Sequence, residues 1–383
     1  MASFFRRLTK RFFIITNITL ASLLLLSCAN AFLHPGQWWL IALLGLLFPL
    51  LVLLVFGFLI FWTLIGSRWA FVSLMALILS WPNLAAFYAW NFSAGFKAEK
   101  QPSAVRILSW NVHYFDQMYR QGQQQQSQRI PIINFLKQQD ADVLCLQEFF
   151  ESNSPGYDSN INYIKQNLDY PYHYFVDDYR LAHNLYKVGP VIFSRYPIIS
   201  TQRLEFDGAA NMRLSESLIS ADLNVHGDTI RIYTTHLQSV MFRRRDYQYI
   251  EKIKKVEDSL LEASKSIVKK LRQAYSIRGS QAESVRHELD NSPYPSVLCG
   301  DFNDVPNSYT YFRIRGGMQD AFISRGAGIG RTYSSISPTL RIDYIFADDR
   351  FSIDQCKKVE LSYSDHYPVI ADLILRNEGK AAK

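Results

Sequence analysis

Three apolar runs open the chain: Phe12 to Phe32, Trp38 to Ile65, and Ala70 to Trp90, the last interrupted by Pro82 and Asn83. None contains Asp, Glu, Lys, Arg or His. Each is long enough to cross a hydrocarbon core of about 30 Å as a helix. So long a stretch without charge has no polar face to offer water, which argues against the alternative, a buried helical bundle of a soluble protein. Six of the seven tryptophans (Trp38, Trp39, Trp62, Trp69, Trp81 and Trp90) lie in this part, mostly near run ends, where an interfacial aromatic belt belongs. Arg6, Arg7, Lys10 and Arg11 precede the first run, whereas His34-Pro35-Gly36-Gln37 after it carries no Lys or Arg. The positive-inside rule then puts the N-terminus in the cytoplasm, and three spans carry the rest of the chain to the other side. The expected location is a multi-pass inner-membrane protein with a periplasmic or extracytoplasmic domain. Spans without ionisable groups give no transport pathway. Leu25-Leu26-Ser27-Cys28 also resembles a lipoprotein processing site, but a second apolar run follows at once, which favours a cysteine inside a spanning helix.

After residue 95 the composition turns mixed and globular. The expected division is an anchor over 1–95 (spans about 12–32, 38–65 and 70–90), a linker over 96–104, a domain over 105–376 and a tail over 377–383. Val105 to Val112 reads as a strand, Ile130 to Gln139 as a helix, and Val143 to Leu146 as a strand that runs into Gln147-Glu148. That alternation predicts an α/β (α+β) domain. Gly189 to Ile198 is another strand. Ser215 to Val225 and Thr229 to Thr235 read as a pair turning at Gly227-Asp228. Residues 241 to about 290 read as a helical insertion with Ile250, Ile253, Val256, Leu260, Ile267 and Leu271 on one face and a solvated basic face opposite. Ser308 to Arg315 reads as a helix, and Leu340 to Phe346 and Val369 to Ile374 as strands. Cys145 and Cys299 sit in apolar strands and are expected to be buried thiols.

Ser296 to Cys299 ends on Gly300-Asp301-Phe302-Asn303-Asp304. Side chains alternate along extended chain, so Asp301 and Asn303 share a face, where a carboxylate and a carboxamide can hold a water and a hard cation. Asp, Asn and Gly are also common turn formers. Turn chemistry does not explain why Asn111, Glu148, His236, Asp301, Asn303, Asp343, Asp365 and His366 all stand at strand ends or interrupt apolar strands. Buried polar groups need partners, and eight in such places point to one shared site. A set rich in oxygen and imidazole suits Mg²⁺ or Mn²⁺ rather than structural zinc.

Six strings occur in order: Ser109-Trp110-Asn111, Leu146-Gln147-Glu148, Thr235-His236-Leu237, Gly300 to Asp304, Arg341-Ile342-Asp343-Tyr344-Ile345, and Ser364-Asp365-His366-Tyr367-Pro368. Together they resemble the endonuclease/exonuclease/phosphatase superfamily with its DNase I-like fold, in a membrane-anchored bacterial branch. The resemblance covers about Val105 to Leu375. It implies a four-layer sandwich of two mixed β-sheets flanked by helices, and metal-dependent hydrolysis of phosphoesters. By position it implies that Glu148, Asn111 and Asp365 hold the metal. Asp301 would orient or deprotonate the attacking water, with Asn303 beside it. His366 would contact the phosphoryl group with Asp343 fixing its tautomer, and His236 would stabilise charge on the non-bridging oxygens. One departure bears on substrate. The abasic-site nucleases of the family have a tyrosine two residues before the glycine of their third motif, and Lys187 stands there, with Tyr186 one place off.

The net charge of +7 favours anionic partners without choosing among them. Arg213 and Arg278 are further positions where an anion could be met, although arginine is mostly a surface residue. The expected partners are a lipid bilayer and a phosphoester, either a lipid headgroup or a small phosphoester. Nucleic acid is the alternative, and no protein partner is expected. A binding domain on a catalytically inactive copy of the fold is the reading from a different class; the presence of the whole residue set argues against it.

Overall fold

The computed structural model describes residues 2–92, 95–117, 127–152, 154, 158–181, 185–206, 216–242, 246, 249 and 260–376. The chain forms two compact units. One comprises Met1–Phe87, Val240–Gly279 and Val305–Arg313; the other comprises Tyr88–Ser239, Ser280–Asp304 and Ile314–Lys383. The first unit therefore takes two later segments in addition to the anchor.

The N-terminal segment of the first unit carries the helices α1 (Ala2–Cys28), α2 (Trp39–Leu46), α3 (Phe48–Leu64), α4 (Ala70–Leu79) and α5 (Trp81–Phe87). One helical stretch, Phe4–Ala31, is by itself long and apolar enough to cross a membrane. The other two expected spans are not straight helices. α2 and α3 meet at 63°, and α4 and α5 meet at 61°. Proline accounts for both breaks: Pro49 and Pro82 each sit in the first turn of the second helix of a pair, where the missing N–H is harmless but the preceding helix cannot continue through. Three spans result only if each bent pair is one span. Asn17 and Ser73 tie α1 to α4. Ser73 Oγ donates to Asn17 Oδ1 (2.7 Å) and Asn17 Nδ2 donates to the Trp69 carbonyl (3.2 Å). Much of the remaining helix surface is apolar and exposed, including Phe12, Ile15, Leu40, Leu53, Phe56, Leu64, Phe71 and Ile78.

The second unit is built on strands β1 (Ala89–Trp90), β2 (Ala104–Asn111), β3 (Val143–Ser152), β4 (Tyr172–Phe175), β5 (Tyr179–Leu181), β6 (Tyr186–Ser194), β7 (Ile198–Glu205), β8 (Ser217–Val225), β9 (Asp228–His236), β10 (Ser296–Asp301), β11 (Gln319–Asp320), β12 (Ala327–Gly328), β13 (Asp343–Ala347), β14 (Phe351–Lys358) and β15 (Val369–Leu375). A seven-stranded sheet has the order β14-β15-β2-β3-β6-β4, with β5 also on β6, and a six-stranded sheet the order β11-β13-β10-β9-β8-β7. Both are mixed, since β2 with β3 and β9 with β10 are parallel within otherwise antiparallel ladders.

Alternation along each strand makes the layers. Ile107, Val143, Cys145, Ile192 and Ala371 meet Ile219, Ile232, Val297, Cys299 and Ile345 in the core between the sheets. Their neighbours Leu108, Trp110, Leu144, Leu146 and Phe193 face the other way and pack under helices α6 (Arg129–Gln139) and α7 (Asn160–Leu168) through Ile132, Leu136, Ile164 and Leu168. On the far side of the six-stranded sheet, the Tyr233 hydroxyl donates to the carbonyl of Glu288 in the helix Leu260–Asp290. This is the expected sandwich of two mixed sheets flanked by helices.

Several finer expectations shift. The hairpin turn is His226-Gly227 (φ +55° and +101°), one residue earlier than expected, and Asp228 already pairs with Val225. Two consecutive positive φ values make the primed turn that matches strand twist. Gly189 to Ile198 divides, with β6 ending at Ser194 and β7 starting at Ile198. β14 and the edge strands β4, β5 and β7 have no counterpart among the expected elements, since β7 alternates little and is mostly exposed. Of the basic insertion, Ile250, Ile253 and Val256 lie outside the described residues. Lys265, Lys269 and Arg272 are exposed, as a solvated face requires. Arg278 is fully buried, and Arg213 lies outside the described residues. All four cysteines are free and buried, Cys28 as the last residue of α1.

Candidate active site

Strand register assembles half the site. The parallel β9–β10 ladder sets Asp301 beside His236, and the antiparallel β10–β13 ladder sets it opposite Asp343. Gly300 makes the close approach possible. A Cβ there would lie 2.2 Å from the Thr235 carbonyl oxygen, and its φ of +154° disfavours any other residue. In the seven-stranded sheet, β2 ends on Asn111, which pairs with Gln147. Glu148 follows in a left-handed conformation (φ +49°) where the β3–β6 register shifts. Such a bulge re-aims a side chain at a strand end.

Asn111 joins the two sheets. Its Nδ2 donates to Glu148 Oε1 and to Asp301 Oδ2, both at 3.1 Å, and its Oδ1 accepts from the His113 N–H. Asp301 Oδ1 accepts from the Asn303 N–H (2.8 Å). Asn303, itself left-handed at φ +52°, donates from Nδ2 to the Leu237 carbonyl and places that nitrogen 3.0 Å from His236 Nε2. His236 Nε2 lies 3.6 Å from Asp301 Oδ2 and 3.7 Å from Glu148 Oε1. His366 sets Nδ1 3.0 Å from Asp343 Oδ2 and Nε2 3.5 Å from Asp301 Oδ2. The His366 loop is fixed from β2: Trp110 Nε1 donates to the His366 carbonyl, and Ser364 Oγ donates to the Asn111 carbonyl. The aromatic-amide pair Trp110-Asn111 thus holds the loop with one residue and the carboxylates with the next.

Burial by itself would push both imidazoles down. At His366 the carboxylates of Asp343 and Asp301, with Asp365, outweigh burial and hold the ring well above its ordinary value. At His236, Asp301, Glu148 and Glu216 also outweigh burial and raise the ring above its ordinary value. Burial, opposed by His366 and reinforced by the Asp301 charge, pushes the Asp343 carboxyl up to about 6.

Seven of the eight expected residues therefore form one cluster. Asp365 stands apart: its side chain lines a neighbouring cavity of about 680 Å³ with His113, Asp116, Glu360 and Tyr363. Among the described residues it makes no side-chain hydrogen bond to the cluster and reaches it through charge alone, at His366.

Two observations bear on a cation. Among the described residues, Asp301, Asp343 and His366 have ligand atoms close enough together to share one ion. Asp343, however, directs both oxygens at His366 Nδ1, and an ion there would have to break that pairing. Glu148 fits better. Its Oε2 is buried with no hydrogen-bond partner, next to the Asn111 carboxamide and within reach of Asp301. A buried carboxylate oxygen left unpaired costs free energy unless a proton or cation meets it.

Sequence reasoning missed several groups around this cluster. Thr332 Oγ1 accepts from the backbone N–H groups of Ile342 and Asp343 and so sets the start of β13. Four residues in a row, His113 to Asp116, are left-handed (φ +44° to +56°), and they put Tyr114 against Tyr179, hydroxyl to hydroxyl at 2.9 Å. Glu216 and Asp178 form a second buried acidic pair, pushed up by burial to about 7 and about 6. No pattern in the string marks a left-handed run of non-glycine residues.

Two sheets that bring a carboxylate-imidazole-amide cluster to one end define a phosphoester hydrolase of the two-sheet α/β class. Residues 108–366 match the Exo_endo_phos profile, described as the Endonuclease/Exonuclease/phosphatase family, and the chain belongs to that family. Residues 10–87 match a family described as a domain of unknown function (DUF8431). An endonuclease/exonuclease/phosphatase from Beutenbergia cavernae DSM 12333 is similar at 21% identity and TM-score 0.53, over 73% of this chain and 74% of that one. The human Nocturnin catalytic domain, solved with a sulfate anion, is similar at 15% identity and TM-score 0.50, over 74% of this chain and 98% of that one. These likenesses show the fold. No curated protein matches the chain significantly.

Proposed function

We propose that the chain is a membrane-anchored, divalent-metal-dependent phosphoesterase acting on a lipid or small phosphoester. The observation that carries this reading is the convergence of Asn111, Glu148, His236, Asp301, Asn303, Asp343 and His366 from both sheets onto one end of the sandwich. Glu148, with Asn111, would hold Mg²⁺ or Mn²⁺, and Asp365 would serve only as a more distant charge. Bound there, the cation neutralises charge on the phosphoryl oxygens.

The chain's own residues divide the remaining work. Asp301, backed by the Asn303 N–H, orients a water and takes its proton as it attacks in line. His366, kept charged and oriented by Asp343, meets the phosphoryl oxygen as a cationic donor, and His236 does so from the other side. Preorganised donors of this kind act where negative charge builds, and each is worth roughly 10²–10³ in rate.

Membrane anchoring rests on α1 and on the apolar exposed faces of α2 to α5, which water would not tolerate over so large an area. An inner-membrane location with the sandwich on the extracytoplasmic side follows from the basic residues ahead of α1. A membrane-proximal substrate favours lipid over nucleic acid.

The test is Mg²⁺-dependent release of p-nitrophenol from bis- and mono-p-nitrophenyl phosphate by the full chain in detergent micelles, beside Asp301→Ala and His366→Ala. Phospholipid, inositol phosphate and plasmid DNA are assayed in parallel. Turnover lost in both variants supports the reading. No turnover with any divalent metal overturns it in favour of a binding domain, and preference for DNA overturns the substrate assignment.

A further inference from the structure

We propose that Gln147 is a positioning residue for this reaction, tying the two sheets together through Thr234 one step beneath the candidate site. The proposal rests on the phosphoesterase reading above and lies wholly within the sandwich unit. Every second residue of a strand faces the same way. Cys145 of β3 and Ile232 of β9 belong to the apolar layer between the sheets. Two residues further along each strand, on the same faces, that layer turns polar at Gln147 and Thr234. Both are 0% exposed, as is Ser109 beside them. Gln147 Nε2 donates across the layer to Thr234 Oγ1 (2.8 Å) and to the Cys145 carbonyl (3.1 Å), and it reaches Ser109 Oγ at 3.4 Å. The next side chains along are those of the site. Gln147 immediately precedes Glu148, Thr234 stands two residues before His236, and Glu148 Oε1 and His236 Nε2 face each other at 3.7 Å.

Packing alone does not account for this glutamine. Its Oε1 is buried with no hydrogen-bond partner, a cost that Met or Leu would not incur at the same place. What it supplies is direction. Ladders hold each sheet internally, whereas the apolar layer between the sheets attracts without fixing a line of approach. A hydrogen bond has a preferred length and angle, so it sets how one sheet lies against the other. β3 needs that hold here, because its pairing with β6 lapses between Leu146 and Phe149. The backbone of Gln147 is then held from the β2 side, where it pairs with Asn111 and its carbonyl accepts from the Val112 N–H (3.1 Å). Glu148 follows in a left-handed conformation, a state that persists only where the surroundings maintain it.

Asn111 also spans the gap, but it donates to Glu148 and Asp301, the two carboxylates that would meet a cation and a water. The Gln147–Thr234 bond uses no group of the site, so nothing bound there competes for it. Gln147 thereby sets where the Glu148 carboxylate stands relative to His236.

The experiment compares the full chain in detergent micelles with Gln147→Met, Thr234→Val, the double variant, and Thr234→Ser, which keeps the hydroxyl. The readouts are the Kd for Mn²⁺ by titration calorimetry, which needs no substrate, the split between kcat and KM on bis-p-nitrophenyl phosphate, and Tm. The proposal expects Gln147→Met and Thr234→Val each to lower kcat about tenfold with KM within about twofold, and to weaken Mn²⁺ binding about tenfold. Tm of Gln147→Met should be no lower than that of the wild type, since an unpaired buried oxygen is removed. The double variant should lose no more than the worse single one, because both changes remove the same bond, and Thr234→Ser should keep most of kcat and affinity. Values of kcat and Kd within about twofold of the wild type in both single variants overturn the proposal. So do losses that multiply in the double variant. A Tm that falls in step with kcat, Thr234→Ser included, also overturns it by marking the contact as structural only. If Gln147→Met does not fold, Thr234→Val beside Thr234→Ser is read against the same limits. A wild type that neither binds Mn²⁺ nor turns over substrate removes the phosphoesterase reading and the positioning role with it. A wild type that does both, with variants that match it, removes the positioning role alone.

Discussion

His366 Nδ1 lies 3.0 Å from Asp343 Oδ2 in a buried pair, and Asp343 is opposite Asp301 in the β10–β13 ladder. One strand register therefore sets both the carboxylate that aims the imidazole and the carboxylate that faces its other nitrogen. Replacing Asp343 by Asn keeps the shape and removes the charge. The expected result is a kcat lower by about 10²-fold or more, with the circular dichroism spectrum unchanged.

The unpaired Glu148 Oε2 makes a prediction about metal that does not depend on turnover. Mg²⁺ or Mn²⁺ at about 100 times its Kd should stabilise the folded chain by roughly 3 kcal/mol and raise Tm. Glu148→Gln should abolish that rise while leaving the metal-free protein at least as stable as the wild type. Differential scanning calorimetry with and without EDTA reads both.

Glu216 ties stability to pH. Burial pushes its carboxyl up to about 7, and Gln281 Nε2 donates to its Oε2. In the unfolded chain the group ionises near ~4.3. Below that pH both states hold the proton and the stabilising contribution is complete; it is lost as pH rises through about 7, because only the unfolded state ionises readily in between. Glu216→Gln should therefore leave stability unchanged at acid pH and raise it at pH well above 7 by up to roughly 3 kcal/mol. Denaturant midpoints across the pH range measure the difference.

Gly300→Ala tests the close approach of β9 and β10. The added methyl would collide with backbone rather than with a movable side chain, at 2.2 Å from the Thr235 oxygen. A loss of roughly 3 kcal/mol or more, or failure to accumulate as soluble folded protein, is expected. A midpoint within roughly 0.5 kcal/mol of wild type would contradict the register described for Asp301.

The helical unit makes the last prediction. The full chain should remain with the membrane fraction after high-salt and alkaline washing, which strips surface-bound proteins. Release by salt alone would argue for attachment through the exposed basic residues Lys265, Lys269 and Arg272 instead.

Much of this was legible in the string because it is written locally. Hydrophobic runs without charge mark the helical part whatever else happens, and a strand's period of two together with a polar residue at its end marks where a site residue can stand. Asn111, Glu148, His236, Asp301 and Asp343 were found in that way. The bends at Pro49 and Pro82 follow from a missing backbone donor, yet whether a proline ends a span or bends it depends on what packs beside it. The edge strand β7 was missed because an exposed strand carries no apolar alternation to read.

Side-chain types and spacing, set by the sequence by itself, determined the family, the layered sheets and seven of the eight residues expected in the cluster. Tertiary structure alone decided which oxygen stays unpaired, that Asp365 stands aside, and that Asn30 and Asn83 meet Asn307. Those outcomes rest on distances between atoms far apart in the chain, and no local pattern encodes a contact whose partners are hundreds of residues away.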